Sequence, residues 1–582
     1  MTDSDTADEF HLLKKRVIDH LRLIYPDADC QVLATQLLQI MQITTVEKPV
    51  CAHRNLWNEN DVVLITYGDS VRNQTEMPLK TLRKFIDRHL REAITAVHIL
   101  PFYPYSSDDG FSVINYVEVN QSLGNWSDIE QFSDHYRLMA DLVINHCSSR
   151  SLWFDNFKQQ RDPGRDYFIE MSPDDDLSMV VRPRTSPLLR ETETLEGLRH
   201  VWCTFSHDQI DLNFANPQVL LEIARIIRTY LDYGVSLFRL DAVAFLWKQP
   251  GTSSINLPQT HEIIRLLRLL IENVNADAVV ITETNIPNRE NLSYFGNANE
   301  AHWIYNFTLP PLILYTMLSG RSHLLKQWMM SMPPAQNGTA YFNFIASHDG
   351  IGMRPAEGVL SEETVMQMAD TVRAFGGEVS LRSMADGSFK PYELNISLID
   401  AFRGTFAGED EHQLARFICA HAIMLAIEGV PGIYIHSLLA TPNDLVKKEA
   451  SGHNRAINRH NWDENEIEAL LNDEWSINYQ VHRALSELLA VRRQQKAFHP
   501  NATQFTMHFT EQLFAFWRQS QDRSQSIFCI YNITNTPQPL ALQDVNLVET
   551  QQWRDLHSGH VFDDPREVLT LAPYDFVWIT NF

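Results

Sequence analysis

Eight short, nearly continuous apolar runs, each followed by a longer stretch of helical periodicity, constrain this chain more than any other feature. They are VVLITY (62–67), VHILPFYP (97–104), LMADLVINH (138–146), SLFRLDAV (236–243), AVVITETN (278–285), WIYNF (303–307), TAYFNFIASHD (339–349) and GIYIHS (432–437). A strand that is apolar at nearly every position has both faces covered, as in a parallel sheet flanked by helices. Eight such units predict an α/β fold, a closed (β/α)8 TIM barrel over 61–499. A doubly wound open sheet could use the same units, but no GxGxxG follows an early strand to support it.

Two connections exceed ordinary βα loops: about 147–210 after strand 3 and about 350–415 after strand 7. On a barrel such insertions land on the C-terminal face, where active sites are built. Ahead of the barrel, FHLLKKRVIDHLRLIY and VLATQLLQIMQI make 1–60 an N-terminal helical extension. After it the period shortens in FTMHFTEQLFAFWRQ, SIFCIYNIT and DFVWIT, so 500–582 reads as a small C-terminal β domain.

A net charge of −25 repels phosphate backbones and argues against nucleic acid as a partner. No run of 18 uncharged apolar residues predicts a membrane span, and the N-terminus lacks a secretory h-region. The six cysteines are scattered without a CxxC pair, as expected of reduced thiols in a cytoplasmic protein.

The chemistry gathers at strand ends. Strand 3 closes on Asn145 and His146, strand 4 on Arg239 and Asp241, strand 5 on Glu283, and strand 7 on His348 and Asp349. A lone carboxylate of this kind is usually a surface or capping group. Repeated apolar runs ending in charge at one barrel mouth point instead to a catalytic set. Arg239 and Asp241 lie two apart on a strand, so they share a side and can pair, which should lower the Asp241 pKa. One carboxylate that attacks an acetal carbon and one carboxylic acid that protonates the leaving oxygen make a retaining glycosidase-type centre.

Five ordered motifs carry a resemblance: INH (144–146), QIDLN (209–213), FRLDAV (238–243), the Glu283 strand and ASHDG (346–350). They resemble the signature regions of the α-amylase superfamily, glycoside hydrolase family 13. The resemblance implies Asp241 as nucleophile, Glu283 as general acid/base and Asp349 as transition-state stabiliser, with Arg239, His146 and His348 binding the glucosyl unit. LPFYPYSSDDGFSVINY (100–116), LDAVAFLWKQPGTSS (240–254), SHDGIG (347–352) and INRH (457–460) narrow it to the sucrose phosphorylase group, which includes phosphorylases of glucosylglycerate and glucosylglycerol. That group transfers glucosyl to inorganic phosphate, giving α-glucose 1-phosphate.

By the same resemblance Asp108 and Arg459 close a pocket around one glucose, and Arg184 in VVRPRTSPLL (180–189) binds phosphate. Tyr392 and Glu393, in KPYELNISLIDAF (390–402), belong to the acceptor loop. Three positions depart from the group's pattern: Glu393 stands for a glutamine, Phe245 for a tyrosine and Asn285 for a histidine. All three lie on the leaving-group side and put sucrose itself in doubt, while the N-terminal helical extension and the PYELN loop resemble the branch acting on glucosylglycerate or glucosylglycerol. A glycerate carboxylate would then need a cation such as Arg354. Amylases use the strand-3 asparagine as a calcium ligand, but Asn145 has no evident partner cluster, so no metal and no cofactor beyond phosphate as co-substrate is expected. The expected partners are a small sugar and phosphate, with a homodimer left open. A hydrolase or transglucosidase, and a catalytically dead barrel kept as a binding protein, are the alternatives.

Overall fold

The computed structural model describes residues 3–46, 51–383, 388–545, 547, 552–564 and 566–582. Eight parallel strands among them close into a barrel. They are β1 (Val63–Thr66), β2 (Ala96–Ile99), β3 (Arg137–Val143), β4 (Val235–Asp241), β5 (Val279–Thr282), β6 (Trp303–Tyr305), β7 (Ala340–Asn343) and β8 (Val430–Tyr434). Each falls on one of the eight apolar runs, to within one residue at its start, and the order β1-β8-β7-β6-β5-β4-β3-β2 follows the sequence around the barrel. Closure is direct: Val63 of β1 is in register with Ala96 of β2 and with Gly432 of β8. The open-sheet alternative therefore fails. Gly432 is required where it stands, because a Cβ there would collide with the Phe342 ring that fills the barrel interior.

The N-terminal extension forms α1 (Asp3–Ile24) and α2 (Cys30–Ile40). The side chain of Asp29 accepts from the N–H groups of Gln31 and Val32, which starts α2. The two helices cover α3 (Pro217–Asp232) and α4 (Pro258–Val274), the helices on either side of β4. Tyr25, just past α1, donates to the Phe214 carbonyl at 2.8 Å and packs its ring 6.3 Å from Trp247.

The insertion after β3 carries an antiparallel hairpin (189–194 with 197–202) and returns by pairing 209–211 with 146–148. The insertion after β7 forms a three-stranded antiparallel sheet of 351–352, 389–395 and 378–383 beside the helix Glu362–Ala374. Both rise on the C-terminal face of the barrel. The tail forms a six-stranded antiparallel sheet whose strands alternate sides. Phe514, Phe516 and Tyr531 face the barrel core, while Leu513, Ala515 and Ile530 build a separate core with Leu540 and Trp553.

Candidate active site

The ends of β4 and β5 and the segments following β2, β3 and β7 converge on one cavity of about 80 Å³. Asp108, His146, Asp241, Glu283, His348 and Asp349 line it, with Arg184, Phe245, Asn285, Arg354, Tyr392 and Arg455 completing the wall. Three strands stop short of the site residues expected at their ends: β3 at Val143, β5 at Thr282, one residue before Glu283, and β7 at Asn343. His146, His348 and Asp349 therefore sit on the connecting segments, while Asp241 is the last residue of β4.

Arg239 is the charge centre of this wall. Its Nη1 donates to Asp241 Oδ1 at 2.6 Å and also to Asp141, and its Nη2 stands 3.9 Å from Glu283 Oε1. Asp141, on β3, is fully buried and bonds His98 Nε2 at 2.7 Å. It thus claims part of the guanidinium charge, and sequence reasoning missed it because a polar residue inside an apolar run reads as an exception to the strand. Asp141 also corrects the expectation for Asp241. Burial outweighs Arg239 and raises both the Asp241 and Glu283 carboxyls above the usual range, and the two titrate as a pair. The guanidinium lies nearer Asp241, so negative charge settles there and the proton on Glu283. The backbone ties the pair together: Ala242, in a left-handed turn at φ 53°, donates its N–H to Glu283 Oε2 at 2.9 Å.

Asp349 behaves oppositely. Burial would raise its pKa, but Arg455 at 2.6 Å, with Arg459, Arg239 and Arg184 around it, holds the carboxyl below the usual range. Burial and the neighbouring guanidiniums keep His348 neutral, its ring stacked on Phe111 at 4.9 Å. Burial likewise depresses His146, whose Nε2 bonds the Phe111 carbonyl at 2.9 Å. His146 thus spends its one N–H on the Phe111 carbonyl, whereas a neutral His348 keeps a ring nitrogen, Nδ1, without a partner for a sugar hydroxyl.

One expected contact is shared between two arginines, and one is corrected. Asp108 and Asp109 both adopt positive φ, 53° and 45°, which aims their carboxylates differently. Arg459, behind the cavity wall, donates to Asp109 Oδ2 and the His348 carbonyl at 2.6 and 2.8 Å and stays 3.9 Å from Asp108. The arginine that faces the cavity is Arg455, also 3.9 Å from Asp108. Glu393 does not face the cavity with Tyr392. Its carboxylate is buried against Arg455, with Nε and Nη2 each 3.0 Å away. Neighbours on a strand point to opposite sides, so Tyr392 and Glu393 could not share one wall.

Arg184 and Arg354 differ from Arg239, Arg455 and Arg459. Neither side chain makes an ion pair or a hydrogen bond among the described residues; Arg184 lies 5.4 Å over the Tyr392 ring. Phe245 packs edge-on to Phe205 at 5.5 Å, and Asn285 Oδ1 is buried without a partner.

The place where a calcium ion would use Asn145 is taken by an ammonium. Lys248 Nζ lies 2.6 Å from Asn145 Oδ1 and 2.7 Å from Asp211 Oδ2, and its side chain is 1% exposed. Thr204 adds two further bonds to the same aspartate. These residues do not fit a metal, because their oxygens already surround a fixed positive charge. Among the described residues no group of three or more His, Cys, Asp or Glu side chains is arranged to hold a metal ion.

Residues 90–356 match the α-amylase catalytic domain, and residues 505–578 match the maltogenic amylase C-terminal domain. The chain is 40% identical to the glucosylglycerate phosphorylase of Escherichia coli, over 97% of this chain and 100% of that one. It belongs to the sucrose phosphorylase group of the α-amylase superfamily, glycoside hydrolase family 13. To the glucosylglycerol phosphorylase of Marinobacter adhaerens it is 32% identical, over 76% of this chain and 88% of the relative. The crystal structure of sucrose 6F-phosphate phosphorylase from Thermoanaerobacter thermosaccharolyticum superposes with a TM-score of 0.71 at 25% identity, covering 81% of this chain and 94% of that one. The protein is a retaining α-glucoside phosphorylase, a hexosyltransferase-type enzyme of this group. No helix among the described residues is long and apolar enough to cross a membrane.

Proposed function

We propose that the donor is an α-glucoside of glycerate, cleaved by phosphate to α-glucose 1-phosphate and free glycerate. The observation that carries this reading is the pair of arginines, Arg184 and Arg354, that line the cavity with neither side chain in a direct ion pair or hydrogen bond among the described residues. A guanidinium with its donors unused in such a site favours an anionic ligand, and its fork matches carboxylate and phosphate alike. Glu393 offers no competing charge, since Arg455 neutralises it. The 40% identity to a glucosylglycerate phosphorylase along the full chain supports the same choice.

In this reading the glucosyl unit lies against Asp349, His146 and His348. The Asp241 carboxylate attacks the anomeric carbon while Glu283 gives its proton to the glycosidic oxygen, and glycerate leaves. Phosphate then enters beside Arg184, while Arg354 faces the place that the glycerate carboxylate leaves. One of its oxygens attacks the same carbon, the bond to Asp241 breaks, and the phosphate proton returns to Glu283. Two inversions restore the α configuration. Lys248 takes the structural place of a cation, and no metal enters any step.

Phosphorolysis of 2-O-α-glucosylglycerate followed by NMR tests the reading. The expected product is α-glucose 1-phosphate in equal amount to glycerate. Turnover of sucrose or glucosylglycerol at a higher kcat/KM than the glycerate glucoside would overturn it.

A further inference from the structure

Glu393 is a buried charge to which the reaction above assigns nothing. Besides the two Arg455 contacts, its Oε1 accepts the Gly350 N–H at 2.5 Å. Gly350 follows Asp349 directly, and a Cβ on it would stand 2.6 Å from both Glu393 Cγ and the Leu394 carbonyl. A glycine there lets the strand 389–395 approach this closely. On the other side, Arg455 Nη1 reaches Asp349 Oδ1 at 2.6 Å, and that oxygen has no hydrogen bond among the described residues. Arg459 Nη2 is the next cation, at 3.7 Å. One carboxylate therefore grips both the guanidinium in front of Asp349 and the peptide behind it.

We propose that Glu393 is a positioning residue for the glucosyl side, holding Asp349 through Arg455 and through the Gly350 peptide, with no contact to the leaving group. A charged clamp suits the task because Arg455 would otherwise be free to swing toward Asp108, 3.9 Å away. The proposal rests on Asp349 facing the glucosyl unit and is independent of which leaving group the donor carries.

α-Glucosyl fluoride separates the two sides of the bond, since its leaving group is a lone halide that makes no acceptor contact. Glu393→Gln keeps the shape and the bond from Gly350 but removes the negative charge that faces Arg455. Its kcat/KM should fall about tenfold or more with the fluoride and by the same factor with the glycerate glucoside, as expected when a contact with the reacting sugar is misplaced. The ratio of glycerate to glycerol use in the reverse direction should not change. Glu393→Asp, which restores the charge on a shorter arm, should recover part of the loss. Arg455→Lys, which keeps a charge but cannot grip both carboxylates, should lose activity equally with both donors, and it carries the test if the glutamine variant is unstable. A loss confined to the glycerate glucoside, an altered acceptor ratio, or unchanged kinetics would overturn the proposal.

Discussion

The glucosyl side and the leaving-group side of this cavity differ in where they come from and in how their charge is balanced. The glucosyl side is built mainly on barrel-strand ends and the segments after them, joined by Glu393 from the insertion after β7 and Arg455 from the connection after β8, and each of its charges has a counterpart. Arg239 serves Asp141 and Asp241, and Arg455 serves Asp349 and Glu393. The other side is built from two long insertions and the loops after β4 and β5, and it presents Arg184, Arg354 and Asn285 Oδ1 without partners. A closed network fixes geometry for one sugar, whereas open valences wait for whatever anion binds. Catalysis and specificity are thus separable, and substitutions on the two sides should fail in different ways.

The largest expected effect lies on the glucosyl side. Asp241→Asn should lower turnover by about 10⁴-fold or more with every donor, as loss of a nucleophile does, while thermal unfolding stays close to that of the parent. A loss that varied with the leaving group would break the division between the two sides. Next comes Arg354→Met. Leaving an anion unmatched in a site built to bind it should cost glycerate about 100-fold in kcat/KM and leave glycerol nearly unaffected, which a comparison of the two acceptors would read. Equal losses for both acceptors would move Arg354 to the glucosyl side.

Smaller effects follow. Lys248→Met removes the ammonium that balances buried Asp211 and should lower stability by roughly 3–5 kcal/mol, measured by denaturant unfolding, because an uncompensated charge remains. A pH profile is the mildest probe. Burial holds the Glu283 carboxyl protonated above the usual range. Its acid form is complete below that raised value and is lost as pH rises through it, so kcat/KM for a glucoside should fall on the basic limb. With the fluoride, which needs no proton, that limb should flatten. A limb that persists unchanged would assign it to another group.

The same division explains what was legible in the sequence. The apolar runs predicted all eight barrel strands because burial on both faces leaves little else for β1 through β8 to be. Asp241, Glu283 and Asp349 stood out as charges at or beyond the ends of such runs. Their partners did not. His98 and Asp141 lie inside strands, where polarity carries no local signal, and Arg455 is 106 positions beyond Asp349 on a short turn, with nothing nearby to mark its direction. Glu393 was legible as a residue but not as a contact, since strand alternation turned it from the cavity toward Arg455. Pairings between distant segments are set by how insertions fold over the barrel, and a linear pattern holds no record of that.

The most direct test of an anion-selecting leaving-group side is phosphate release from α-glucose 1-phosphate with glycerate, glycerol, fructose and fructose 6-phosphate as rival acceptors. Glycerate should give the highest kcat/KM, and Arg354→Met should abolish that preference while the rate with glycerol holds. A parent enzyme that prefers glycerol or fructose, or a variant that still prefers glycerate, would contradict the account.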